Sequence, residues 1–305
     1  MNLKDYLYIQ PEIETAVREG KPVVALTTDS LFCGITWPQN FEFAKKVQKI
    51  IADAGVIPAF TAVLQGILMV GLTLQQLENL CSRKERMRIS RKDIPIAVAC
   101  RETGTTTVAS GMILASLAGI RILVTDGIGG VGITAQNRLD ISADLQELTR
   151  TPVAVVCSGV KLVANSNPTL EYLETMGIPV VGIHSKMFPA FFCQNSGLEV
   201  DYSVSHLWEA AQIIKAKWDI GLQGGIVLTS PIADGYAMDF DFICKQIADG
   251  LESAQQHQIH GNHLVPYLME YLSQHTNRET VSANLQILYK NAKLAANLAQ
   301  EYCHL

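Results

Sequence analysis

Val153-Ala-Val-Val-Cys-Ser-Gly-Val-Lys161, VAVVCSGVK, decides how the chain is read. Its first five residues are apolar throughout, with no polar alternation. That pattern suits a strand covered on both faces, as in a sheet sandwiched between helices. Working outward, the same signature recurs at Pro22–Leu26 (PVVAL), Ile96–Cys100 (IAVAC), Ile120–Thr125 (IRILVT), Pro179–Ile183 (PVVGI) and Ile226–Thr229 (IVLT). Helix-like segments fall between them, at Phe41–Ala54, Thr107–Leu117, Ala143–Thr149, His206–Trp218 and Asp239–Ser253. From Asp239 to Tyr302 strand signals fade and the pattern turns helical. Alternating elements of this kind predict an α/β fold. The expectation is a three-layer α/β/α unit with a largely buried mixed or parallel sheet and a helical C-terminal extension over about 239–305. The 305 residues exceed the usual size of one domain. No linker or repeat offers a boundary, so 1–305 is read as a single domain.

Composition narrows the function. At 48% hydrophobic the chain can offset its ordering entropy by burial, which excludes disorder. Lysine and arginine number 24 against 29 acidic residues, a net charge of −5 with no basic block. Nucleic acid and anionic membranes both select clustered cations, so neither is an expected partner. The apolar stretches around Phe60–Leu72 and Gly111–Val124 are broken by Gln65 and Arg121. Both are shorter than the ~20 residues a spanning helix needs. The N-terminal MNLKDYLYIQ is charged where a signal peptide would be apolar. Seven scattered cysteines form no CxxC pair, and a reducing cytoplasm is expected.

Small polar residues gather after several strands. Thr125-Asp-Gly-Ile-Gly-Gly-Val-Gly132 follows a strand directly, and its amides could form an anion nest or simply a tight turn. Gly104-Thr-Thr-Thr-Val-Ala-Ser110 precedes an apolar helix. Its hydroxyls and helix amides suit a phosphate, or one threonine caps the helix. Asp140-Ile-Ser-Ala-Asp144 sets two carboxylates four apart. With Asp140 as cap, both could face one divalent cation, or serve only the helix dipole. Lys161 follows a buried strand at the end where ligands collect in open α/β sheets. Desolvation there would lower its pKa and allow imine formation with a carbonyl; a plain surface lysine is the alternative.

Taken together, these segments resemble the pseudouridine-5′-phosphate glycosidase family, the indigoidine-synthase-A-like proteins. The likeness runs through KPVVAL (21–26), WPQN (37–40), SRKDIP (90–95), TTVAS (106–110), GIGGV (127–131) and DISADLQEL (140–148). It continues in LEYLET (170–175), PAFFC (189–193), GLQGGIVL (221–228) and SANLQILYKNAKLAA (282–296). The resemblance implies reversible cleavage of the C–C glycosidic bond of pseudouridine 5′-phosphate to uracil and ribose 5-phosphate. It implies a homotrimer dependent on a divalent metal, usually Mn²⁺. Lys161 matches the lysine that forms an imine with C1 of ring-opened ribose, and Asp140 the metal-binding aspartate. Ser142, Ala143 and Asp144 match a substrate-contacting loop, and Val108, beside Thr107, a substrate-contacting valine. Gly130 falls in the glycine loop and Asn284 matches a functional asparagine. A C-glycoside has no leaving oxygen to protonate, so an iminium electron sink is chemically sensible where hydrolysis by two carboxylates is not.

Three positions depart from the family. Its catalytic glutamate is Thr27 here, whose hydroxyl cannot serve as an acid near neutrality. In an extended segment Asp29 would point to the same side as Thr27 and could replace it. The phosphate-side lysine is Arg88, which keeps the charge and adds bidentate geometry. The family histidine after GIGGV is Gly132, and Gly132–Gln136 also departs from the family pattern. The sugar-phosphate side is thus expected to persist while the aglycone side is rebuilt. Three functions follow: the family reaction, C-glycoside synthesis with another aglycone, or a catalytically impaired ribose-phosphate-binding paralogue.

Overall fold

The computed structural model describes residues 3–132, 140–162, 164–259 and 264–305. Continuous apolar runs become strands where both faces are covered. The strands are β1 (Leu7–Ile9), β2 (Val23–Thr27), β3 (Ile57–Leu64), β4 (Ile67–Val70), β5 (Met87–Ile89), β6 (Gly104–Thr106) and β7 (Ile122–Val124). They continue with β8 (Val131–Gly132), β9 (Ala154–Cys157), β10 (Ala164–Asn165), β11 (Val180–Ile183), β12 (Tyr202–Val204) and β13 (Ile226–Thr229). The helices are α1 (Pro11–Arg18), α2 (Gln39–Asp53), α3 (Leu74–Ser82), α4 (Ile94–Ala99), α5 (Val108–Leu117) and α6 (Ala143–Leu148). Then come α7 (Ser166–Thr175), α8 (Leu207–Asp219), α9 (Phe240–Gln256), α10 (Leu264–His275) and α11 (Glu279–Cys303).

One mixed sheet runs β1-β4-β3-β2-β7-β9-β13-β11-β12, with β6 also on β3 and β5 on β6. From β3 to β12 every neighbour is parallel. β4 and β6 run antiparallel to β3. Every residue of β2, β9 and β13 is buried, as a doubly covered sheet requires. Alternate residues feed opposite cores. Val24 and Leu26 of β2 pack with α2, α8 and α11, whereas Val23 and Ala25 pack with α1, α5 and α6. The C-terminal helices therefore do two things. α11 supplies Leu288, Ala292, Ala295 and Ala296 to the main core, and α9 and α10 close a smaller cluster over Phe191 and Phe192.

Two readings change. Ile96–Cys100, expected as a strand, lies mostly in α4. Pro95 stands in the helix's first turn, and only Ala97 of the run is buried, so two-sided burial is not what its apolar residues serve. The Phe60–Leu72 stretch forms the hairpin β3–β4. Gln65 and Gly66 both take positive φ, at 51° and 80°, which supplies the tight reversal.

Candidate active site

The carboxyl ends of parallel β2, β7, β9 and β13 meet at one edge of the sheet, the usual ligand edge of such folds. Backbone bonds join the segments that leave them. Ser158 N–H donates to the Asp126 carbonyl at 2.9 Å, and Lys161 N–H to that of Ile128 at 2.8 Å. The two side chains thereby face each other, with Lys161 Nζ 3.1 Å from Asp126 Oδ1. The lysine side chain is 12% exposed and the aspartate 1%.

Asp126 lies in the glycine loop, where the sequence pattern assigns it no role. Its Oδ1 also accepts from Ser30 Oγ (2.8 Å), Thr125 Oγ1 (2.9 Å) and Gly127 N–H (2.8 Å). Its buried Oδ2 meets no partner among the described residues. Burial alone would raise the carboxyl pKa, but Lys161 and these donors outweigh it and hold it below the ordinary value. Burial likewise disfavours the lysine charge, yet Asp126, with Cys33 and Asp29, raises the Lys161 pKa above its usual value. The expectation of a depressed lysine pKa is therefore corrected: the amine is dry, but an adjacent carboxylate keeps it cationic. Burial pushes Cys157 up to about 12, and burial with Asp126 raises Cys33 further, so neither thiol ionises near neutrality.

Thr27 closes β2 within this cluster, with Oγ1 3.0 Å from Ser30 Oγ and 3.3 Å from Thr125 Oγ1. Asp29 does not follow it as the extended-segment reading supposed. Thr28 turns into the helical region and Asp29 opens a short 3₁₀ helix, Asp29–Phe32. Its Oδ2 accepts from Arg88 Nε at 2.9 Å. Burial disfavours the Arg88 charge, but the Asp29 charge, this bond and the Asp144 charge together outweigh it and raise the Arg88 pKa.

The glycine loop and the start of α5 are largely occupied by the chain itself. Asp144 Oδ1 accepts from Ala109 N–H and Oδ2 from Gly129 N–H, each at 2.9 Å. Asp144 thus caps α5, and Thr107, the N-cap residue, makes no side-chain cap bond. The nest expected from the glycines is filled by Asp126 on Gly127 and Asp144 on Gly129. Carboxylates of the chain itself satisfy those amides, so of the two readings, an anion nest or a tight turn, the loop is closed by its own side chains. A Cβ on Gly129 would stand 2.1 Å from Ser142 Oγ, so the loop and α6 meet closely only with glycine there. Gly130 accepts from Ser142 N–H through its carbonyl at 3.0 Å. The cap of α6 is Ser142, whose Oγ accepts from Asp144 N–H at 3.2 Å; Asp140 is exposed outside the helix, which corrects the expected Asp140 cap. Ala143 begins α6, and Val108 is buried at the start of α5.

Asp140 instead leans over Gly132, where a Cβ would meet its Oδ2 at 2.2 Å. A histidine at 132, as in the family pattern, would require that carboxylate to turn aside. Residues 133–136 of the departing run lie outside the described residues. No group of three or more His, Cys, Asp or Glu arranged for a metal occurs among the described residues. Asn284, on α11, reaches the Cys33 carbonyl through Nδ2 at 3.4 Å while its Oδ1 has no partner among the described residues. Thr107 Oγ1 is also buried without a partner among the described residues. Sequence reasoning missed Asn291, about two helical turns beyond Asn284. Its Nδ2 donates to the Thr125 carbonyl at 3.0 Å and its Oδ1 accepts from Ser158 Oγ at 3.2 Å, joining β7 and β9 at the site. A cavity of about 470 Å³ lies alongside, lined among others by Lys161, Asn165, Phe191 and Phe240.

A three-layer α/β fold with a buried lysine–aspartate pair at the carboxyl edge of its sheet is the class these features define. The indigoidine synthase A like protein family model matches residues 12–301, and the chain belongs to that family. It is 47% identical to a pseudouridine-5′-phosphate glycosidase of Clostridium botulinum, over 98% of this chain and 98% of the relative. It is 44% identical to the Alkaliphilus metalliredigens protein of that name, over 98% and 97%. Among solved structures, the prealnumycin C-glycosynthase AlnA in complex with ribulose 5-phosphate aligns at 34% identity and a TM-score of 0.90, covering 98% of this chain and 97% of that one. An indigoidine synthase A-like protein of Thermotoga maritima aligns at 29% and 0.87, covering 96% and 95%.

Proposed function

We propose that the chain makes or breaks the C–C bond between C1 of ribose 5-phosphate and an aglycone, with pseudouridine 5′-phosphate as the substrate and uracil as the product base. The observation that carries this is the buried Lys161 amine at the strand ends, in a chain 47% identical to a glycosidase of that name. Lys161 Nζ would hold C1 of the open sugar as an imine, so that the base carbon departs from, or adds to, an electron-poor centre. Arg88, oriented by Asp29, supplies the cation for the phosphate. Thr107 Oγ1 and Asn284 Oδ1 are two of the buried polar atoms that have no partner among the described residues, and they would meet sugar hydroxyls. A second reading, C-glycoside synthesis with another aglycone, is favoured by Thr27 and Gly132 in place of the family's acid and histidine. The likeness to AlnA supports it.

Asp140 is the residue that would hold Mn²⁺ or another divalent ion. One exposed carboxylate fits an ion that keeps most of its water, the habit of small hard cations, and not a closed protein cage. When bound, such an ion would neutralise charge on the substrate. A homotrimer and a cytoplasmic location are further parts of the proposal. Seven free thiols support a reducing compartment, and no helix among the described residues is long and apolar enough to cross a membrane.

The test is borohydride reduction in the presence of ribose 5-phosphate, followed by peptide mass analysis. A stable adduct at Lys161 is expected, and its absence would remove the imine. Release of uracil from pseudouridine 5′-phosphate with Mn²⁺, followed over time, separates the first reading from the second. An intact substrate beside a trapped lysine would favour the synthase.

A further inference from the structure

Imine chemistry at a cationic lysine needs a group that takes the ammonium proton and later gives one back. We propose that Asp126 is that catalytic acid–base group, touching the nucleophilic nitrogen and exchanging protons with it. The inference rests on the imine reading above and adds to it the residue that makes a charged lysine competent.

The geometry selects Asp126 among the carboxylates nearby. Asp29 is engaged by Arg88, and both oxygens of Asp144 are held by backbone amides. Among the described residues, Asp126 is the carboxylate in contact with Lys161 Nζ, at 3.1 Å. Three further donors hold the same Oδ1 that faces Nζ, which fixes the carboxylate plane and the line along which the proton passes, while Oδ2 carries no donor among the described residues. Its place in the sheet is equally telling. Leu26 of β2 pairs with Val124 of β7, so Thr27 and Thr125 end neighbouring strands side by side. Asp126 therefore brings a carboxylate in from the next strand, linked through the Ser30 and Thr125 hydroxyls to the position where β2 offers only Thr27.

The step balances within the pair. Lys161 ammonium passes a proton to Asp126, and the neutral amine forms the Nζ–C1 bond as the C1 carbonyl oxygen becomes a hydroxyl. The carboxylic acid then returns its proton to that hydroxyl. The C1–O bond breaks, water leaves, and the nitrogen lone pair closes the iminium. One cation enters and one cation remains, and Asp126 ends ionised as it began. Because the proton moves inside a neutral pair, the rate should be nearly independent of pH around neutrality.

The experiment measures cyanoborohydride trapping of ribose 5-phosphate at the Lys161 peptide, as the variant-to-wild-type rate ratio from about pH 5 to 9, so that sugar ring opening and reduction cancel. Asp126→Asn keeps the size and the acceptor oxygen but loses the charge. It should trap about 100-fold more slowly near neutrality, the lower end for loss of general acid–base catalysis. The ratio should rise with pH, because free amine must then come from ionisation of a lysine whose pKa burial, no longer opposed by the carboxylate, draws down. A folded Asp126→Asn protein that traps within about threefold of wild type at every pH would overturn the proposal. Should that variant not fold, Ser30→Ala carries the test. It keeps the carboxylate but removes a donor that lowers its pKa, so in a profile extended below pH 5 the acidic limb must move to higher pH, and an unmoved limb overturns the assignment. Wild-type protein that gives no adduct at all would instead defeat the underlying imine reading.

Discussion

At residue 161 burial and Coulomb attraction pull in opposite directions, and the aspartate wins. The resulting pair links stability to pH. Asp126, with its pKa lowered in the fold, contributes stability above its unfolded value near 3.9, and this is lost as pH falls through the folded value. Lys161, raised, contributes below its unfolded value and loses that as pH climbs through the folded one. Lys161→Met leaves a buried carboxylate without its cation, which costs about 3–5 kcal/mol near neutrality. Burial then raises the Asp126 pKa, so the deficit should close as pH falls toward about 4, the unfolded carboxyl value. Urea midpoints across pH measure this, and a deficit independent of pH would contradict it. Asp29 makes a different forecast. Because it orients Arg88, Asp29→Asn should raise KM for the sugar phosphate about tenfold, the scale of one charge-assisted bond, and leave kcat within about threefold. A collapse of kcat at unchanged KM would restore Asp29 as the acid.

The elements carry the site by converging on it. The lysine and aspartate loops leave adjacent parallel strands, so sheet register brings together residues 35 positions apart. α11 crosses that edge and sends Asn291 between them, donating to the Thr125 carbonyl and accepting from Ser158. Asn291→Ala takes the side-chain donor from the buried Thr125 carbonyl, while Ser158 Oγ keeps its bond to the Ser230 carbonyl, and should cost about 1–3 kcal/mol, read as a lowered urea midpoint. It should also slow lysine trapping, because β7 and β9 lose their tie. Asn291→Asp, which keeps the acceptor, should recover only the Ser158 bond. Element identity was readable where pattern and burial agree. VAVVC and IVLT have only one satisfactory place, between two helical layers. IAVAC was misread because continuous hydrophobicity does not distinguish a two-sided strand from a short helix. Pro95 was the available clue.

Over the whole molecule, the sheet's two faces draw on different parts of the chain. One is closed by α2, α8 and the C-terminal α11, the other by α1, α5, α6 and α7. Truncation before α11 would therefore expose the main core. If the proposed assembly holds, sedimentation at micromolar concentration should give three times the 33.4 kDa chain mass. Treatment with a chelator should lower turnover reversibly without dissociating the particle. A monomer with full activity would count against the trimer.

The sequence by itself determined the layered fold, the central strands and the identity of Lys161 as the residue to watch. These depend on local hydrophobic pattern and on motifs contiguous in the chain. The tertiary structure alone decided what surrounds that amine. It placed Asp126 against Lys161, sent Asp29 to Arg88, and moved the helix-capping duty from Thr107 to Asp144. Such partnerships join residues far apart in sequence, and they are fixed by strand register and by the need to satisfy each buried charge and amide. No window along the chain encodes that need locally.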